Sequence, residues 1–274
     1  MLKAKQSGEI GIYCMGRSIG KFVPYTVHAF LAGDTLIDTG TIYARKEFAR
    51  ALEGKRITTI LNTHHHEDHI GNNNFLQRRF NADIYAPHDA LFYLENPHRI
   101  GLRFYQRFVW NLPEPSQGKT IGERITCSGY TFETIPTPGH CPDHICLYEP
   151  DKKWLFTGDI YCGRVVRYLR SDEDFNTTLS SLKKIASLDI DTLFCCLKGA
   201  VTNGKEALLD KIRYMEKLKA KVMELYHQGI SPKKIRQRLL GKEDAMFYLS
   251  NAHFSKQHVV DSILSEKQAL GIRR

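Results

Sequence analysis

The sequence predicts an α/β fold in which helices cover a sheet, and three observations carry that expectation. Apolar, β-branched runs of strand length recur along the chain, helix-length segments alternate with them, and the densest polar clusters fall directly after strands. Ile10-Gly11-Ile12-Tyr13 and residues 26–31 are β-rich, and Ala32-Gly33-Asp34 turns into a third strand over 35–38. Ile57-Thr58-Thr59-Ile60-Leu61 reads as a buried strand, followed by a helix over 72–80, a strand over 83–86 and a short helix over 89–95. Strands resume at 124–127, 130–135, 144–148 and 154–157. A helix over 175–188, a strand over 191–196 and a long lysine-rich helix over 205–228 come next. Gly229-Ile230-Ser231-Pro232 stops that helix, and Ser231 with Pro232 suits the cap and first position of another. The chain is thus expected to divide into a main domain, residues 1–229, and a helical C-terminal extension, residues 230–274.

Residues 96–118 break the rhythm. The segment opens on Asn96-Pro97-His98-Arg99, carries Phe104, Tyr105, Phe108 and Trp110, and closes on Pro113, Pro115 and Gly118. As a lid, it would grip a hydrophobic substrate while Arg99 or Arg103 meets an anionic group. As an amphipathic helix, with Leu102, Tyr105 and Val109 at near-helical spacing, it would pack on the domain or make a homodimer contact.

The 274 residues suffice to bury a sizeable core, and 25% charged residues are ordinary for a folded soluble protein. The net charge of +9 admits an acidic partner, nucleic acid included, but the lysines and arginines are spread along the chain, denser only near 98–107, 164–170 and 211–238. No apolar run reaches the length of a signal-peptide core or a membrane span, so a cytoplasmic protein without membrane contact is expected. Seven cysteines, an odd number without zinc-finger spacing, fit a reducing compartment, and Cys14, Cys127, Cys146 and Cys162 read as small buried hydrophobes.

The chemistry is concentrated in Asn62-Thr63-His64-His65-His66-Glu67-Asp68-His69-Ile70-Gly71-Asn72, directly after the strand over 57–61. Alternate residues of an extended chain share a face, so His64 and His66 can point together, with Asp68 and His69 following as the chain bends. Imidazole and carboxylate donors suit zinc, and also iron or manganese. A solvated histidine-rich loop is the alternative, and His65 is expected to face solvent.

The spacing His64-x-His66-x-Asp68-His69 resembles the signature of the metallo-β-lactamase superfamily. Thr137-Pro138-Gly139-His140 resembles its third histidine and Thr157-Gly158-Asp159 its metal-bridging aspartate, in the family's order. The resemblance implies a four-layer αββα sandwich holding one or two zinc ions, or iron or manganese. His64, His66 and His140 would bind the first metal, Asp68 and His69 the second, and Asp159 would bridge them. Asp38-Thr39-Gly40 resembles a motif whose aspartate supports the histidine loop, while a cap for the helix over 43–52 is the plainer reading of Asp38.

One departure stands out. Where the family places a last histidine, this chain reads Cys195-Cys196-Leu197-Lys198-Gly199, and Lys198 is expected at the vacant position. An ammonium there weakens a second metal or stands in for its charge by holding a substrate anion. Cys196 is a substitute ligand on one reading and a buried structural cysteine on the other. His144 is expected to orient a ligand, contact substrate or merely start a strand, and Tyr161 to stabilise an oxyanion or simply end one.

The implied activity is metal-assisted hydrolysis of a small acyl substrate, a thioester, lactone or ester, with Asp68 orienting or deprotonating the attacking water, as in glyoxalase II-like members. The basic charge keeps a nuclease in view, and Lys198 a non-catalytic metal- or ligand-binding protein.

Overall fold

The computed structural model describes residues 1–269 as two facing sheets with helices on both outer sides. The first sheet runs in chain order: β1 (Leu2–Ser7), β2 (Ile10–Met15), β3 (Val27–Ala32), β4 (Thr35–Ile37), β5 (Thr59–Leu61), β6 (Asp83–Ala86) and β7 (Lys119–Thr120). Neighbours are antiparallel as far as β4 and parallel from β4 onward. The second sheet contains β8 (Arg124–Cys127), β9 (Tyr130–Pro136), β10 (Ile145–Glu149), β11 (Trp154–Phe156), β13 (Thr192–Cys195) and β14 (Gly199–Thr202), in the order β14-β13-β11-β10-β9-β8. β12 (Leu169–Arg170) pairs instead with β15 (Phe254–Ser255).

Alternation along the strands separates three apolar layers. Phe30 and Ala32 of β3 join Phe132, Leu147, Phe156 and Phe194 between the sheets. Ala29 and Leu31 face outward onto Phe48 of α1 (Arg45–Ala51), Leu76 of α2 (Asn73–Phe80) and Leu94 of α3 (His88–Glu95). On the far side, Cys146 and Leu193 meet Phe175 of α5 (Phe175–Ile185) and Val222 of α6 (Gly204–His227). The result is the expected αββα sandwich, with β3, β10 and β13 buried on both faces. The sequence pattern does not announce β1, because Lys3 and Lys5 break its apolar alternation. It is an edge strand, where exposed lysines discourage pairing with another chain.

Two segments close over one end of the sandwich. Residues 96–118 contain a short 3-10 turn (Pro97–Ile100) and α4 (Phe104–Val109), the helix that the apolar spacing suggested. Gln106 Nε2 donates to Glu67 Oε1 at 2.9 Å, and Thr41 Oγ1 donates to the Trp110 carbonyl at 3.1 Å. In the extension, Ile235 of α7 (Pro232–Leu239) and Val259, Val260 and Ile263 of the last helix (Lys256–Ala269) share the apolar layer of α5 and α6. Residues 270–274 of the expected extension lie outside the described residues. All seven cysteines are free, and no helix among the described residues is long and apolar enough to cross a membrane.

The inter-sheet layer turns on Phe194 and Phe156, whose rings stack at 4.6 Å. Phe194→Ala should lower the unfolding free energy by about 3–5 kcal/mol, read from the urea midpoint, because the cavity lies between two sheets that cannot close on it.

Candidate metal centre

β9 and β11 both run antiparallel to β10, and β13 runs parallel to β11, so three strands of the second sheet end on one side. His140, Asp159 and Cys196 follow those ends. The histidine loop follows β5, and the Ile145 amide donates to the Thr63 carbonyl at 3.0 Å, joining it to the second sheet. Close approach there requires glycine: a Cβ on Gly158, at φ +45°, would lie 2.6 Å from His144 Nε2.

Three imidazoles converge. His66 Nδ1 lies 2.8 Å from His64 Nε2 and 2.9 Å from His140 Nε2, and all three rings are buried. Each is held from behind: His64 Nδ1 is 3.0 Å from Thr63 Oγ1, His140 Nδ1 is 2.6 Å from Glu173 Oε1, and Arg170 Nη2 is 2.9 Å from His66 Nε2. Burial, reinforced by neighbouring cationic groups, pushes the His64 and His66 pKa values well down and keeps both rings neutral.

Asp159 links this group to a second one. Its Oδ2 lies 3.3 Å from His140 Nε2, and its Oδ1 lies 3.2 Å from His69 Nε2. His64, His69 and Asp159 offer donor atoms all within 4.8 Å of one another, as do His64, His66 and His140. His69 donates through Nδ1 to Asp38 Oδ2 at 2.7 Å, while its buried Nε2 makes no hydrogen bond. Burial would lower the His69 pKa, but Asp38, Asp159 and Asp68 outweigh it and raise it well above the usual value. Neutral nitrogens converging beside carboxylates, one buried nitrogen that faces a carboxylate without a hydrogen bond, and anchored rings together fit a divalent cation.

The other expected residues separate. Asp68 is half-buried, outside both convergent groups, and burial pushes its carboxyl up to about 7. Asp38 takes the supporting role, accepting from the Thr63 amide at 2.9 Å as well as from His69, and the cap of the following turn is Thr41. His144 holds the Asp159 backbone: its Nε2 accepts from the Asp159 amide at 3.0 Å. His65, expected in solvent, is largely covered because it pairs with Asp143 at 2.8 Å and stacks on Tyr93. Tyr161 does not reach the cluster; it is buried against α6, with Lys211 Nζ over its ring.

Lys198 does not reach it either. Cys196-Leu197-Lys198 is the three-residue turn between β13 and β14, closed by Gly199 at φ +71°, and it leaves Lys198 exposed beside Gly163. Cys196 turns inward, its thiol donating to Asp159 Oδ1. Cys162, read from sequence as a small buried hydrophobe, belongs to this polar cluster too, donating to the Asp159 carbonyl at 3.1 Å. The sequence reading also missed Glu173, Asp143 and Arg170. Only Arg170 had a signal, as the end of the basic stretch 164–170.

Below pH 6.5, the ordinary histidine value, unfolded chains protonate His64, His66 and His144, whereas burial holds the native rings neutral, His144 down to about 3. Native stability therefore rises with pH in this range. His69 has the opposite sign but has already taken its proton by pH 6.5, and Asp68 opposes with one proton. The urea midpoint of chelator-treated protein should fall steadily from pH 6.5 to pH 5.

A family model described as the metallo-β-lactamase superfamily matches residues 31–196. A hydroxyacylglutathione hydrolase of Rhodopseudomonas palustris is 29% identical over 208 residues, covering 74% of this chain and 71% of the relative. Another, from Bdellovibrio bacteriovorus, is 31% identical over 144 residues, where the match spans 51% of this chain and 48% of the relative, about half of each. Among solved structures, a metallo-β-lactamase family protein from Thermus thermophilus superposes with a TM-score of 0.67 at 20% identity over 94% of both chains. A β-lactamase domain protein from Burkholderia ambifaria gives 0.71 at 16% identity, over 94% of this chain and 86% of that one. The fold, the site and the family match agree, and the chain belongs to the metallo-β-lactamase superfamily, among relatives named as hydrolases.

Proposed function

We propose that the protein is a metal-dependent hydrolase of small acyl substrates, a thioester, lactone or ester carrying an anionic group. The observation that carries this reading is the convergence of His64 Nε2, His66 Nδ1 and His140 Nε2 beside Asp159, each ring anchored by a partner of its own. These four residues would hold the first cation, and His69 would join Asp159 in holding a second. When bound, such a cation supplies Lewis acidity that makes water nucleophilic near neutral pH and polarises an acyl carbonyl. Zinc is the first candidate for this donor set. Asp68, whose carboxyl burial raises to about 7, would take a proton from the attacking water and return it to the leaving group.

Selectivity falls to the adjoining cavity of about 230 Å³, lined by His66, Arg103, Gln106, Arg170 and His253 among others. Arg103 and Arg170 face it, the latter paired with Asp172 of the same lining, so Arg103 is the group left to meet an anion, and Gln106 adds an amide. An acyl substrate with a carboxylate fits that lining better than a neutral one. The glyoxalase II-type names of the relatives point the same way, towards a thioester.

The purified protein should be assayed against acyl thioesters, lactones and aryl esters, each with and without a carboxylate, and against a phosphodiester. Turnover of a carboxylated acyl substrate, abolished by chelation and restored by zinc, is the expected result. Phosphodiester turnover alone would replace this reading with a nuclease, and metal binding without turnover of any class would replace it with a binding protein.

Asp38→Asn should weaken metal binding about 10- to 100-fold in chelator competition, because Asp38 fixes the His69 ring without reaching the cluster itself. Unchanged affinity would show that His69 is not a ligand.

A further inference from the structure

The mechanism leaves unused two neighbouring thiols, the buried Cys196 in the turn after β13 and the half-buried Cys162 that follows β11. We propose that Cys196 and Cys162, with Asp159 and His69, form a thiolate-containing second cation site that takes a zinc-class ion. The proposal rests on the metal-dependent reading above and names its second site. The Cys196 thiol contacts Asp159 Oδ1, the oxygen that His69 Nε2 faces at 3.2 Å without a hydrogen bond. The Cys162 thiol donates to the Asp159 carbonyl at 3.1 Å, and Asp159, Cys162 and Cys196 offer donor atoms within 4.8 Å of one another. One imidazole and one sulfur thus face the same carboxylate oxygen, and a second sulfur lies within reach of that carboxylate.

The turn is built to keep Cys196 there. Its carbonyl accepts two hydrogen bonds from His28, from the backbone amide and from Nδ1, each at 2.7 Å. The three-residue turn carries Lys198 away to solvent, so the sulfur stands at the position the ammonium was expected to fill. A packing cysteine needs neither a carboxylate nor a second thiol beside it. Thiolate donors favour zinc over manganese or magnesium, and binding a dication releases the thiol protons to solvent.

The test uses the full chain, purified under reducing conditions and loaded with cobalt(II). Two ions per chain and a sulfur-to-cobalt charge-transfer absorption are expected. Cys196→Ser should remove that absorption and bring the count from two to one, Cys162→Ser should weaken it, and Cys195→Ser, whose thiol bonds the Tyr161 carbonyl instead, should retain it. In unmutated protein, zinc should protect Cys196 and Cys162 from alkylation mapped by mass spectrometry, a reading independent of any variant's folding. One ion without a sulfur signature overturns this inference and leaves the hydrolase reading standing. Two ions with an unchanged spectrum in the Cys162→Ser, Cys196→Ser double variant overturns it as well. No bound cobalt at all overturns both.

Discussion

The buried carboxylate of Asp38 is the constraint on which the site depends. It sits at the end of β4 at φ +56°, a left-handed conformation uncommon for any residue but glycine or asparagine and its acid. From there it accepts from the Thr63 amide, the Thr63 hydroxyl and His69 Nδ1. Hydrogen bonds to a charged group contribute about 1.5–3 kcal/mol each, and leaving one unmade in the interior costs a comparable amount. One side chain thereby fixes the start of the histidine loop and its last imidazole together. Thr63, held in turn, sets the His64 ring through its hydroxyl.

The second sheet answers with the same economy of means. β9, β11 and β13 share one direction, so His140, Asp159 and Cys196 arrive at one edge although they lie far apart in sequence. His144 couples two of these arrivals, because it starts β10 and accepts from the amide of Asp159. The close contact of Gly158 with that ring leaves no room for a side chain. Bringing donors together is therefore a property of strand direction and of a few tight backbone approaches, and it precedes any contribution from a metal.

Much of this was legible in the sequence, for identifiable reasons. The strands were visible because their residues are buried on both faces and β-branched, and the convergent histidines and Asp159 because each follows a strand. What failed was the last step from position to direction. In a three-residue turn, neighbouring side chains diverge, so Cys196 and Lys198 take opposite environments although two positions apart, and position alone does not say which of them faces Asp159. Tyr161 was misjudged similarly, since it points to the helix side of its strand end while Asp159 points to the site. Glu173, Asp143 and Arg170 act across long sequence separations, and no local pattern announces such partners.

The extension also bears on function. His253 pairs with Asp172 at 3.4 Å and with the Tyr105 hydroxyl at 2.7 Å, joining the end of the chain to the segment after β12 and to α4. Asp172 also holds Arg170, the residue behind His66. The cavity beside the cluster is thus walled by three stretches that the core sandwich does not itself require: the α4 segment, residues 170–172 and the extension. Core strands bring the imidazoles together, and these outer stretches line the cavity beside them. The stretches differ in their reach: Tyr105 and His253 line or brace the wall alone, whereas Arg170 also holds the His66 ring, so the wall and the imidazole cluster are joined through that one guanidinium.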